Sequence, residues 1–149
     1  MDQEKLYEVI YNIMTNQQFG VLATIENDLP RTSIVAFTAT NNLKSLFFLT
    51  GQESRKFKNI VNNPTVTMLI DNRPDSSRDM QGTFAVSVVG NAKQVDLKSA
   101  NATKELFSFC HPALVDYLDN GSYALISMAI DRYEVTSGID QVYTYKMGS

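Results

Sequence analysis

The chain has no tryptophan, one cysteine and one histidine in 149 residues. With Cys110 alone no internal disulfide can form, and one cysteine beside one histidine cannot supply the usual ligand set of a structural zinc. No metal site is expected. No segment approaches the roughly 18 consecutive apolar residues that a membrane-spanning helix needs, and Met1-Asp2-Gln3-Glu4-Lys5 lacks the basic and then apolar order of a signal peptide. A soluble, cytoplasmic protein is expected, with no membrane partner. Excess positive charge is also missing: 13 Lys and Arg against 16 Asp and Glu give a net charge of −3 and a pI near 5.1, which argues against a nucleic-acid partner. What the chain does have is 44% hydrophobic residues, enough for one core, so a single domain over residues 1–149 is expected. Demanding chemistry in such a chain calls for a borrowed cofactor.

From Asp2 to about Gln17 the apolar residues Leu6, Ile10, Ile13 and Met14 recur at helical spacing, which predicts an amphipathic helix. Gly20 then introduces Val21-Leu22-Ala23-Thr24-Ile25. The turn-rich Glu26-Asn27-Asp28-Leu29-Pro30 separates that run from a second strand, Thr32 to Thr38, and the two read as a β-hairpin. Leu46 to Thr50 is a third strand closed by Gly51. Ser54 to Val61 has helical spacing and stops at Asn62-Asn63-Pro64, because proline disfavours helix in the residue before it. Thr65 to Ile70 and Thr83 to Val95 read as strands, the second interrupted at Gly90 by a bulge or bend. Between them Asp71 to Gln81 is a polar loop. Ser99 to Phe109 and Ala113 to Leu118 look helical, and Ser122 to Thr136 with Gln141 to Tyr145 form a last pair of strands.

Six or seven strands joined by short turns predict a mainly β fold, a small antiparallel barrel with helical insertions. A doubly wound parallel sheet fits poorly, because the turns of about five residues between the first three strands cannot carry a crossover helix between parallel neighbours.

The densest polar cluster is Thr50-Gly51-Gln52-Glu53-Ser54-Arg55-Lys56, between a strand end and a helix start. Free N–H groups of a first helical turn, a capping Ser54, the planar fork of Arg55 and the point charge of Lys56 together make a credible anion site. The plainer reading is a capped helix with a solvated basic face.

The order of residues around this cluster bears on that choice. Phe19-Gly20-Val21-Leu22-Ala23-Thr24, Leu29-Pro30-Arg31 leading into Ser33-Ile34-Val35, Phe47-Phe48-Leu49-Thr50, Ser54-Arg55-Lys56, Asn62-Asn63-Pro64-Thr65-Val66-Thr67 and Val89-Gly90-Asn91-Ala92 closely resemble the pyridoxamine 5′-phosphate oxidase-like family of flavoproteins. The resemblance runs from about Phe19 to Val95. It implies an FMN-binding split β-barrel of six or seven strands that forms a homodimer and holds one FMN in each of two clefts between the subunits. By the same resemblance Arg55 and Lys56 match the phosphate-binding pair, with Ser54 beside them. Leu49 and Thr50 match the strand end that contacts the flavin. Ser33, Ile34, Val35 and Ala36 match the strand whose backbone lies along the isoalloxazine ring.

Departures from the pattern narrow the reading. In the oxidase that makes pyridoxal phosphate, the position matching Ser33 is an arginine on the FMN phosphate and that matching Ala85 is a glutamine on the flavin. The substrate-holding Arg and His of its C-terminal extension have no match before the chain stops, soon after Tyr145. A shorter relative is therefore implied, an FMN-dependent oxidoreductase passing hydride between flavin and either NAD(P)H or a small organic substrate. The alternatives are a non-catalytic flavin-binding or stress-associated module, or a haem- or deazaflavin-binding relative of the same fold. No catalytic acid or base is identified.

Other residues invite chemistry but read more simply. Cys110 is expected as a small buried residue at a helix end, and His111 as a capping or surface residue, since sequence neighbours seldom face each other as a catalytic pair. Tyr143 and Tyr145 alternate on one face of the last strand, available to an interface or a cofactor wall. Arg73, Arg78 and Asp79 in the polar loop could cover a cofactor, and Asp116 with Asp119 shows no sign of paired acid–base work.

Overall fold

Asp2 begins the first helix: its carboxylate accepts a hydrogen bond from the Lys5 N–H at 2.8 Å, satisfying one of the unpaired donors of the first turn. Helix α1 (Gln3–Asn16) follows, with Leu6, Val9, Ile10, Ile13 and Met14 buried. The computed structural model describes residues 1–73 and 82–148. Strands β1 (Phe19–Glu26) and β2 (Leu29–Ala39) form the expected hairpin. Its turn residues Asn27 and Asp28 have φ of 48° and 68°, the left-handed pair of a tight type I′ turn that Asn and Asp tolerate well.

The remaining elements are β3 (Ser45–Gly51), α2 (Arg55–Asn62), β4 (Thr65–Asp71), β5 (Phe84–Gln94), α3 (Asn101–Cys110), a 3-10 turn at Pro112–Leu114, α4 (Val115–Leu118), β6 (Tyr123–Ser137) and β7 (Gln141–Lys146). Pro112 sets the 3-10 turn, so the helix expected over Ala113 to Leu118 is two short pieces. Every strand pairing is antiparallel, in the order β3-β2-β1-β4-β5-β6-β7. A further pairing of β3 with the first half of β6 closes six strands into a barrel, and β7 continues outside it along the second half of β6.

The expected irregularity in β5 lies between Val89 and Gly90, where the register with β6 shifts. A Cβ on Gly90 would stand 2.1 Å from the Ala129 carbonyl oxygen, so only glycine allows β6 to approach there. Alternate residues fill the barrel, among them Leu22, Phe37, Phe48, Met68, Val88, Ile126 and Val135. Fully buried Tyr133 donates its hydroxyl proton to the Leu43 carbonyl at 2.7 Å. Loss of water around that phenol pushes its pKa well above the usual tyrosine value, with proximity to Tyr7 adding to the shift. A second cluster of Phe47, Phe107, Leu118 and Leu125 seats α3 and α4 on the barrel.

The barrel is incompletely zipped on one side. β3 pairs with β2 only through Phe37, Thr38 and Ala39, so the stretch Leu29–Ala36 has a strand neighbour on its β1 side alone. The start of α2 stands beside this gap.

One single-residue expectation is corrected in part. His111 is neither exposed nor free: it is 5% exposed, packs on Phe107 with ring centroids 4.9 Å apart, and its Nε2 donates to the Phe37 carbonyl at 2.6 Å. Its backbone N–H does close α3 on Phe107, the capping half of the expectation. Tyr143 and Tyr145 are half-buried against the main core, Tyr145 with its ring centroid 5.6 Å from that of Tyr7 on α1. Helix α1 had no assigned place before folding, and it is what covers this face of β7.

Candidate functional site

A cavity of about 400 Å³ opens at the gap, between β2 and the first turn of α2, lined by Thr24, Arg31, Ser33, Arg55, Lys56 and Asn59 among others. Three cationic side chains face it and no carboxylate is among its lining residues. Its floor is tied down by a buried bond: Asn59 on α2 donates from Nδ2 to Thr24 Oγ1 at 3.1 Å, and both residues are nearly inaccessible to solvent. That bond fixes the helix start against the hairpin.

Ser54 organises the entrance without lining it. Its Oγ accepts from the Phe57 N–H at 3.2 Å, donates to the Gly51 carbonyl at 2.7 Å and lies 2.9 Å from Thr50 Oγ1. Its one proton and both lone pairs are thereby committed. Ser54 accordingly acts as the helix cap, holding the open end of α2 toward the cavity. With the Phe57 N–H on Ser54 Oγ and the Lys58 N–H on the Ser54 carbonyl, the Arg55 and Lys56 N–H groups have no hydrogen-bond partner among the described residues. An anion at this end would meet peptide donors and side-chain cations together.

The other expected site residues divide by strand face. Ser33 reaches the cavity, Val35 points into the core, and Ile34 lies on the outer face at 73% exposure with half-buried Ala36 on the same face. Strand alternation makes it impossible for all four side chains to touch one ligand. Thr50 is buried beside Ser54, and Leu49 packs on the second cluster. Arg78 and Asp79 lie outside the described residues. Arg73 pairs through Nε with Asp71 Oδ2 at 3.0 Å, at the margin of a shallow pocket of about 210 Å³ over Phe19, Val21, Ile34 and Leu69. Of the acidic pair, Asp119 binds Lys104.

Five residues of the cavity lining were not anticipated: Thr24, Pro30, Arg31, Thr32 and Asn59. Arg31 alone carried a readable signal, since residues two apart on a strand share a face and Ser33 was already assigned. The outer face of the same hairpin is apolar. Val21 stands opposite Ile34 on one side and Leu69 on the other, and Phe19 opposite Ala36.

A profile of the pyridoxamine 5′-phosphate oxidase family matches residues 7–136. The chain belongs to that family. The match extends well beyond the segment in which the resemblance was read, through β6. No curated protein matches the chain by sequence. Among solved structures, General Stress Protein 26 from Bacillus anthracis is 25% identical, with 95% of this chain and 98% of that one covered at a TM-score of 0.71. A FAD-binding protein from Mesorhizobium loti is 14% identical, with 91% and 94% covered and a TM-score of 0.69. A haem-binding protein from Mycobacterium smegmatis is 16% identical with a TM-score of 0.79, covering 91% of this chain but only 55% of that protein. The last two show the shared fold alone. Within this family fold, His111 spends its Nε2 on a backbone carbonyl, which leaves that nitrogen no lone pair for a haem iron. Among the described residues no helix is long and apolar enough to cross a membrane.

Proposed function

We propose that the gap between β2 and α2 holds FMN, and that the protein is a cytoplasmic, homodimeric FMN-dependent oxidoreductase acting on NAD(P)H or a small organic substrate. The observation that carries this reading is the juxtaposition of a cationic cavity at a helix start with a strand edge, Leu29–Ala36, that has no strand neighbour on that side. The residues fit the cofactor. Arg55 and Lys56 would hold the phosphate together with their own peptide N–H groups. The free edge of β2 offers backbone donors and acceptors to the polar rim of a flat ring system, and Ile34 with Ala36 offers an apolar surface beside it.

When bound, flavin supplies hydride and electron transfer; the chain supplies placement and charge. Lys56 has no carboxylate within ion-pair distance among the described residues, so its charge is available to an anion. The outer row Phe19, Val21, Ile34 and Leu69 is the surface through which a second copy would complete the cleft.

The experiment is a titration with FMN followed by flavin fluorescence and the visible spectrum, repeated on an R55A/K56A variant. Saturable binding near one flavin per chain is expected, lost in the variant; equal affinity in the two proteins would refute the anchor assignment. A second reading, a flavin-binding module without turnover, is favoured by Ala85, which has no side-chain donor to offer a flavin. NADH or NADPH oxidation with FMN present separates the two, because such a module works no faster than free flavin.

A further inference from the structure

Arg31 and Glu26 belong to no role so far assigned. β1 and β2 pair Thr24 with Arg31 directly, and Glu26 lies two residues along from Thr24 on the same strand face. Glu26 Oε2 stands 3.1 Å from Arg55 Nε and 4.0 Å from Arg31 Nε, so one carboxylate oxygen sits between guanidinium groups from the strand and from the helix. That oxygen is buried and accepts no hydrogen bond of good geometry among the described residues. A carboxylate in this position neutralises charge but satisfies neither fork, and a buried, poorly bonded anion is costly.

We propose that Arg31 is a third cationic anchor for a phosphomonoester in this cleft, and that Glu26 is a built-in counter-ion which Arg31 and Arg55 exchange for the incoming phosphate. This rests on the reading that the cleft takes a phosphate-bearing ligand. Arg31 lines the cavity beside Ser33, on the wall facing Arg55 and Lys56, so a phosphate between them is bracketed from both sides. Its oxygens can accept from both forks at once, which the single buried oxygen of Glu26 does not. The Asn59–Thr24 bond keeps the two walls at a constant separation while the anions exchange. Glu26 then sets the affinity: it holds the arginines in place in the empty cleft and competes for them in the filled one.

The test compares FMN with riboflavin, which has the same ring and no phosphate, on the wild-type chain, Arg31→Gln and Glu26→Gln. Arg31→Gln is expected to weaken FMN about tenfold or more and to leave riboflavin unchanged. Glu26→Gln is expected to tighten FMN severalfold, again without effect on riboflavin, and a gain of affinity cannot arise from misfolding. Wild-type FMN affinity in Arg31→Gln, or equal changes for the two flavins, overturns the assignment while leaving the FMN site itself intact. Absence of FMN binding by the wild-type chain overturns both.

Discussion

At the scale of single residues, the cleft is a balance of charges that its neighbours keep unequal. Arg55 is partly occupied by Glu26, whereas Lys56 has no such partner among the described residues. Because charge-assisted hydrogen bonds contribute about 1.5–3 kcal/mol each, the R55A/K56A double substitution should lower FMN affinity by roughly two orders of magnitude, read as a shift of the fluorescence titration midpoint. Tyr133 offers a test away from the cleft. Its raised pKa means that the folded chain holds the phenol proton more tightly than the unfolded chain does. The sign follows: the protonated hydroxyl adds stability that is complete below the ordinary tyrosine value near 10 and is lost as pH climbs above it. Urea midpoints measured between pH 8 and 11 should fall steeply for the wild type at the alkaline end. Tyr133→Phe should lose about 1–2 kcal/mol at neutral pH, by stranding the Leu43 carbonyl, and show a shallower alkaline slope.

At the scale of elements, the start of α2 depends on a single hydroxyl. Ser54 joins the end of β3 to the first turn of α2 through Gly51, Thr50 and Phe57. Ser54→Ala should cost about 1 kcal/mol in a denaturant titration, and should also weaken FMN severalfold, because the loosened turn no longer aims its N–H groups. Unchanged flavin affinity with the expected stability loss would confine Ser54 to a folding role. In β5 the constraint is steric. Gly90→Ala must push β6 away at Ala129, so a loss of about 3 kcal/mol or a failure to fold is expected, measured by thermal unfolding.

At the scale of the whole molecule, the outer face of β2-β1-β4 carries Phe19 at 60%, Ile34 at 73% and Leu69 at 43% exposure in one contiguous row. An apolar row of this kind is the surface we propose for contact between two copies of the chain. Light scattering at micromolar concentration should give twice the chain mass, and Ile34→Lys, which costs the isolated fold little at so exposed a position, should shift the protein to monomer and weaken FMN together. A wild-type monomer would exclude the interfacial cleft.

Local pattern determined much of this protein. Helical spacing in α1, the Asn27-Asp28 turn, the glycine bulge in β5 and the Ser-Arg-Lys helix start were all legible, because each is set by residues within a turn or a strand of one another. The cation pair of the candidate site was legible for the same reason. Only the tertiary structure decided the rest. Pairing β3 with β6, some eighty residues onward in the chain, closes the barrel and opens the gap beside β2. That topology places Arg31, Thr24 and Asn59 around the cavity and Glu26 against two of its arginines, turns Leu49 and Thr50 away from it, and buries His111 under Phe107. Alternation along a strand says that two side chains share a face, not which element will cover that face; the choice is made by long-range packing, to which short-range spacing is blind.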